Sequence, residues 1–529
     1  MANNAGPGRS WAGGALAVIV LTLLYFVYRA FPDALRNYDG LMFSSVVSQE
    51  SGMWRSEMWS YSSHFLFNPV GWLFHRGAVT LGLHQRGFIT LFQMNALLSC
   101  GTVAVLGHVF SEAIGDRWSA LPLALGAAHS ANFWSRASEC SVYALHLFAA
   151  ALVFWALWCD ARRPSVSTLA ALGAAVAFAV LTHISAVFWV PGVFLAVGIQ
   201  NGRWRHAVVL GAASAAAVFL VFAATYRIVD LESLAAWYRN QGSVGPLAAG
   251  TPDGLPGWRW APDAPFLFRG LVGVLWAVPA GGGLLPWVAG AVGLAGLSAL
   301  GWMVVRSPRP RVNGVQRSLL LGGGGMILGV LFLQSVHWGR EDTKFSSLVF
   351  PVFLGLALGA AAVARVPARR NALRGALLAF WAGTFGCNLT AAIVPGSRLE
   401  NNTELMKALF VRDHTPANAV VVINGGMLRL YLPGNAARQA VDLAYPLALT
   451  SKAGARAFVE DQIRTAVLAG RPLFAVNEVV DASAWAETSD RGWDRTDRDR
   501  WLAPFDVQET ARRNDWALYA LRPRTEVRR

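Results

Sequence analysis

Asp39 stands in Asn37-Tyr38-Asp39-Gly40, directly after the first apolar run of the chain. A carboxylate at the water–lipid boundary is partly desolvated, which moves its pKa toward that of a useful general base. The plain alternative is a solvated turn or capping aspartate before Gly40. A second acid, Glu139, lies in Phe133–Leu145 (FWSRASECSVYAL), three residues after Arg136 and shortly before Tyr143. At that spacing on a helix Arg136 and Glu139 share a face. They form either a local ion pair, worth about 0–1 kcal/mol if exposed, or an acid–base group that meets Asp39 across one cavity. His183 closes an apolar run (LTHIS) as either a hydrogen-bonded core residue or a ligand-facing one. His64 opens His64–Pro69 (HFLFNP). Arg340 and Lys344 (HWGREDTK) are suited to gripping a phosphate, unless Glu341 and Asp342 pair with them.

The elements that must hold these groups are membrane helices. Of 529 residues, 54% are hydrophobic and 14% charged, against about 25% charged in a soluble domain. This excludes a disordered chain and argues against one large soluble enzyme. Apolar runs long enough to span a bilayer lie at about 12–31, 88–110, 120–135, 141–158, 167–183, 184–200, 206–228, 284–305, 318–336, 345–364 and 372–394. The expected fold class is an α-helical polytopic membrane protein of about eleven transmembrane helices with a C-terminal soluble α/β domain. Only Arg9 precedes the first run and no small-residue cleavage site follows it, so it reads as a retained helix rather than a signal peptide.

The net charge of +14 reports orientation. Residues 398–529 carry 19 basic and 17 acidic residues, so the surplus sits in 1–397. With the N-terminus in the cytoplasm, fourteen arginines fall in short inside loops, among them Arg117, Arg162, Arg203, Arg306 and Arg374. The long outside loop 32–87 holds four: Arg36, Arg55, Arg76 and Arg86. This is the positive-inside pattern, and it needs no nucleic-acid partner. It places Asp39, Glu139, His183, Arg340 and Lys344 on one side of the membrane. Within 32–87, Leu41–Glu50 is amphipathic, with Phe43, Val46, Val47 and Glu50 on one helical face. Residues 266–281 are apolar, but crossing there would turn the arginines of 306–317 outward, so a re-entrant or interfacial segment is expected.

After Pro395 the composition shifts to that of a soluble domain, expected over 398–529 and outside the cell membrane. Strands are predicted at 419–423, 439–443, 473–476 and 516–521. A helix is predicted over 453–468, with Phe458, Ile463 and Val467 on or near one face. The four cysteines have no metal-ligand spacing, and no disulfide is expected among them.

Taken together, these features resemble the GT-C class of membrane glycosyltransferases, including the protein O-mannosyltransferase-like enzymes that draw a sugar from a polyprenyl-phosphate carrier. The resemblance rests on four features. They are Asp39 in the long first outside loop, the 133–145 segment with Glu139 and Tyr143, the LTHISAVFWVPGVFL stretch around His183, and the outside domain after the last helix. It implies a catalytic membrane domain over 1–397 and an extracytoplasmic domain over 398–529, in a bacterial inner membrane. It implies transfer of a hexose to a hydroxyl of a protein, lipid or glycan acceptor, with inversion. Asp39 would be the general base and Glu139 would position the acceptor or sugar. His64, Arg136, Tyr143, His183, Arg340 and Lys344 would bind substrate. Arginines can balance a monophosphate leaving group, so a divalent metal is compatible with this chemistry but not required. Two departures are plain. The His-Pro-Pro-Gly motif of one large family is replaced by His64–Pro69 (HFLFNP), and Asp39 is followed by glycine rather than a second acid. The main rival is a polytopic transporter or flippase. Its mark would be charges at the membrane midplane, whereas the acids here sit at helix ends.

Overall fold

The computed structural model describes residues 8–33, 38–47, 64–83, 87–226, 230, 232–233, 263–278, 283–307, 313–335, 342–426, 428–444, 446, 452–482, 485 and 493–524. The chain divides into two compact units, residues 1–234 with 257–398, and residues 235–256 with 399–529.

The first unit is helical because an apolar segment in lipid must satisfy its backbone within itself. Its helices are α1 (Gly8–Ala30), α2 (Tyr38–Val47), α3 (Phe67–Thr80), α4 (Gly87–Ile114), α5 (Arg117–Ala128), α6 (Ala131–Ala137), α7 (Tyr143–Arg162) and α8 (Val166–Thr182). There follow α9 (Val190–Ile199), α10 (Trp204–Tyr226), α11 (Ala264–Leu275), α12 (Leu284–Val305), α13 (Gly314–Ser335), α14 (Val349–Ala364) and α15 (Arg370–Asn388). Among the described residues, seven helical stretches are long and apolar enough to cross a membrane, and four shorter apolar ones accompany them. Where helices touch, glycines let backbones meet. A Cβ on Gly293 of α12 would lie 3.3 Å from the Thr384 nitrogen, and one on Gly383 of α15 would lie 2.4 Å from the Gly293 Cα.

The expected span 120–135 is not one helix. Helix α5 ends at Ala128, His129 and Ser130 break the run, and α6 restarts at Ala131. The composition stays apolar through the break, so hydropathy does not register it. The freed carbonyls are taken by side chains. Tyr28 Oη donates to Ala128 O at 3.0 Å, and Asn388 Nδ2 donates to His129 O at 2.8 Å. The same Asn388 also ends α11, donating to Leu275 O at 2.7 Å and accepting from Ala277 N at 2.8 Å. In the 266–281 region, helix α11 (Ala264–Leu275) ends before Trp276. Twelve residues rise about 18 Å, short of the ~30 Å of a hydrocarbon core. One buried amide thus completes two interrupted helices, as irregular backbone at membrane depth requires.

The second unit is a five-stranded sheet in the order β2-β1-β3-β5-β4, with β1 Val420–Ile423, β2 Gln439–Asp442, β3 Leu473–Val476, β4 Phe505–Arg513 and β5 Trp516–Pro523. Strand β1 pairs in parallel with β2 and β3, whereas β5 is antiparallel to both β3 and β4. Every residue of β1 and β3 is buried, as continuous apolar strands inside an α/β sheet must be. The strands at 419–423, 439–443, 473–476 and 516–521 appear as read, and the helix spans Lys452–Leu468. Its buried face is Ala455, Val459, Ile463 and Ala466, which leaves Phe458 52% exposed. Strand β4 escaped the sequence because nearly all of it is exposed and polar, as suits a sheet edge.

Candidate active site

The site is built on the turn that joins α6 to α7. Residues 138–142 make no helix of their own, so their carbonyls must be satisfied from elsewhere. Asp33 N donates to Ser138 O at 2.7 Å. Asn95 Nδ2, on α4, donates to Glu139 O at 2.9 Å and to Ser141 O at 2.7 Å. Gly40 of α2 lies against the fourth carbonyl, and a Cβ added there would sit 1.8 Å from Cys140 O. The Cys140 thiol donates in return to Gly40 O at 3.4 Å. Only glycine permits this approach. It sets the backbone of α2 one residue from Asp39 against the backbone one residue from Glu139. Helix α2 is held there by Phe43, Val46 and Val47, all buried as the amphipathic reading of 41–50 expected. Glu50 and the Asp39 side chain lie outside the described residues.

Glu139 is paired. Arg136 Nη1 donates to Glu139 Oε1 at 2.5 Å, with side chains 13% and 4% exposed respectively. This buried pair is not the weak surface bridge that the spacing alone allows. The Arg136 guanidinium also lies 5.6 Å from the Tyr143 ring centre. Its Nε is buried and has no hydrogen-bond partner among the described residues.

A cluster of rings extends from Tyr143. His183 caps the end of α8, and its Nδ1 accepts from Ser185 N at 3.1 Å. Its ring centre is 5.3 Å from Tyr143, 4.6 Å from His64 and 5.1 Å from His146. His64 is brought there by backbone pairing, Leu66 N donating to Leu181 O at 3.1 Å. His146 bonds Ser347 Oγ at 3.3 Å and Thr182 Oγ1 at 3.5 Å. Ser347 belongs to the 3-10 turn Asp342–Leu348, so the segment carrying Lys344 reaches the same cluster. The Lys344 side chain and all of Arg340 lie outside the described residues. On α3, His75 is buried with Nδ1 3.1 Å from Thr90 Oγ1. Burial, aided by the charge of Arg76, lowers its pKa.

The structure therefore gathers Glu139, Arg136, Tyr143, His64 and His183 around one turn, with the backbone of Asp39 beside it. Two contributors were not read from the sequence. His146 falls one helical turn after Tyr143, and Asn95 is one of two amides, with Gln93, in an otherwise largely apolar helix. Among the described residues no three His, Cys, Asp or Glu side chains are grouped so as to hold a metal ion.

No protein-family model matches the sequence. No curated protein matches it either. Solved structures do. The chain is similar to ArnT from Cupriavidus metallidurans in the apo state, at 14% identity and TM-score 0.56, over 97% of this chain and 98% of that one. It is similar as well to ArnT from Cupriavidus metallidurans bound to undecaprenyl phosphate, at 14% identity and TM-score 0.54, over 96% and 98% of the two chains. The chain thus shares the fold of ArnT over 97% of its length, with a small sheet domain after the last long apolar helix.

Proposed function

We propose that the chain is a membrane glycosyltransferase that moves a sugar from a polyprenyl-phosphate carrier to an acceptor hydroxyl on the outer face of the bacterial inner membrane. The observation that carries this reading is the apposition of Gly40 and Cys140. It joins the segments of two carboxylates at one point of a fold that, in ArnT, holds undecaprenyl phosphate.

Asp39 takes the proton of the acceptor hydroxyl as its oxygen attacks the anomeric carbon. The bond from that carbon to the phosphate oxygen breaks in line, the electron pair leaves on the phosphate, and the anomeric configuration inverts. Glu139, clamped by Arg136 and by the turn, orients the acceptor or sugar. Glu139 engages Arg136 Nη1, and the guanidinium keeps further N–H donors for an oxygen of the substrate, its buried Nε among them. Lys344, from the turn against His146, and Arg340 supply the net positive charge that offsets the departing phosphate. Tyr143, His64 and His183 line the sugar's side of the site. The acceptor, a protein, lipid or glycan, is met from the same side.

The test is Asp39→Asn. Sugar transfer from an undecaprenyl-phosphate-linked donor, followed in membranes or detergent, is expected to fall by about 10²–10⁴-fold, the usual worth of a general base. Membrane insertion and elution profile stay as in the parent. Transfer at the parental rate would remove Asp39 from the mechanism.

A further inference from the structure

A second set of features lies at the other end of the bundle. Helix α5 runs from Arg117 to the break before α6, so its N-terminus is the end remote from Glu139. Two recesses flank it. One, of about 490 Å³, lies between α1, α4 and α5, with Leu16, Val20, Val103 and Ala124 among its walls. The other, of about 430 Å³, lies between α5 and α15, walled by Leu378 and Trp381. Trp118, Leu121 and Leu125 border both and form a ridge between them.

Each recess has its cation at the same end. Arg117, with His108 and Ser111, borders the first, and Arg374 borders the second. Among the described residues no acidic side chain lines either one. Asp116 caps α5 and accepts from Arg374 Nε and Nη2 at 3.1 Å each. Glu112 of α4 is engaged by Arg162 at 2.9 Å. Arg117 makes no ion pair among the described residues and lies 5.5 Å from the Trp118 ring centre. The corner formed by Arg117, Arg374 and Asp116 keeps one net positive charge. Val103 and Ser111 are eight residues apart on α4, about 12 Å, close to one hydrocarbon leaflet, roughly half of ~30 Å.

We propose that this corner is a seat for one anionic diacyl phospholipid astride α5. Its phosphate lies against Arg117, and one acyl chain fills each recess on either side of the Trp118–Leu121–Leu125 ridge. The charge fits a headgroup with no cation of its own, and two recesses sharing one ridge fit two chains on one glycerol. The half-exposed Trp118 stands at headgroup level, where tryptophan is favoured. Nothing in this proposal depends on the catalytic reading.

The experiment is a titration of the delipidated full-length protein in neutral detergent, with bound lipid counted by native mass spectrometry. Dioleoylphosphatidylglycerol is expected to bind about fivefold or more tighter than dioleoylphosphatidylcholine, the worth of one arginine near an anionic surface. Arg117→Gln should erase the preference, Arg117→Lys should keep it, and Leu121→Trp should weaken both lipids. Equal affinity for the two lipids would overturn the proposal, as would a preference that survives Arg117→Gln. So would lysophosphatidylglycerol binding as tightly as the diacyl lipid, or undecaprenyl phosphate binding there in its place.

Discussion

Glu139 shows how burial changes what a short sequence motif means. An Arg-x-x-Glu spacing on a surface helix is energetically minor. Here both partners are withdrawn from water, and removing one leaves an uncompensated buried charge. Glu139→Ala is therefore expected to destabilise the membrane unit by about 3–5 kcal/mol, seen as a lower melting temperature in detergent. The apolar pair Arg136→Met with Glu139→Leu should restore most of that stability without restoring transfer. Recovery of transfer in the double variant would show that the pair only holds the structure. The ring cluster carries the same lesson. His183, His64 and Tyr143 are far apart in sequence and were separate candidates. The His183 ring centre lies 4.6 Å from that of His64 and 5.3 Å from that of Tyr143 only because α7, α8 and the 64–66 turn meet.

At the scale of elements, the site depends on one turn held from three directions. Asp33, Gly40 and Asn95 come from the end of α1, from α2 and from α4, and each meets a different part of residues 138–141. Gly40→Ala would place a methyl 1.8 Å from Cys140 O, so α2 must move. A displacement near 1 Å is enough to cost about 10²-fold in rate. We expect that loss in transfer together with a lower melting temperature, because the atom in the way is backbone. Gly77→Ala on α3, where nothing lies within 4 Å, should change neither. Equal rates for the two variants would separate α2 placement from catalysis. The interrupted helices follow the same logic. Asn388 closes the ends of α5 and α11 together, so a single amide ties the break beside α6 to the short α11.

For the molecule as a whole, the charge distribution predicts an orientation. The arginine-rich short loops predict that the N-terminus is cytoplasmic and that the unit beyond residue 398 lies outside. A periplasm-active reporter fused after Arg398 is expected to be active, and one active only in the cytoplasm would reverse the arrangement. The likeness to ArnT runs through both units, at an identity too low for residue matching. The architecture is shared at 14% identity, and no family model matches the sequence.

Much of this was legible in the sequence, because hydrophobicity is a property of each residue. Long apolar runs dictate helices in lipid, and buried strands such as 420–423 and 473–476 announce themselves by unbroken apolar composition. Arg136, Glu139 and Tyr143 could be singled out because they lie within one helical turn or two of each other. What composition could not reveal was geometry between distant residues. The break at His129–Ser130 sits in apolar sequence, and the amide that heals it comes from 259 residues away. The edge strand β4 has no hydrophobic period. Phe458 faces outward because the helix's register on the sheet, not its own apolarity, decides which side is buried. The sequence alone determined a membrane-embedded helical chain with a small α/β appendage and a set of candidate groups. Only the tertiary structure decided that the segments of Asp39 and Glu139 meet. That meeting depends on a missing Cβ at Gly40 opposite a carbonyl at Cys140, a steric fact that exists only once the two backbones are in contact.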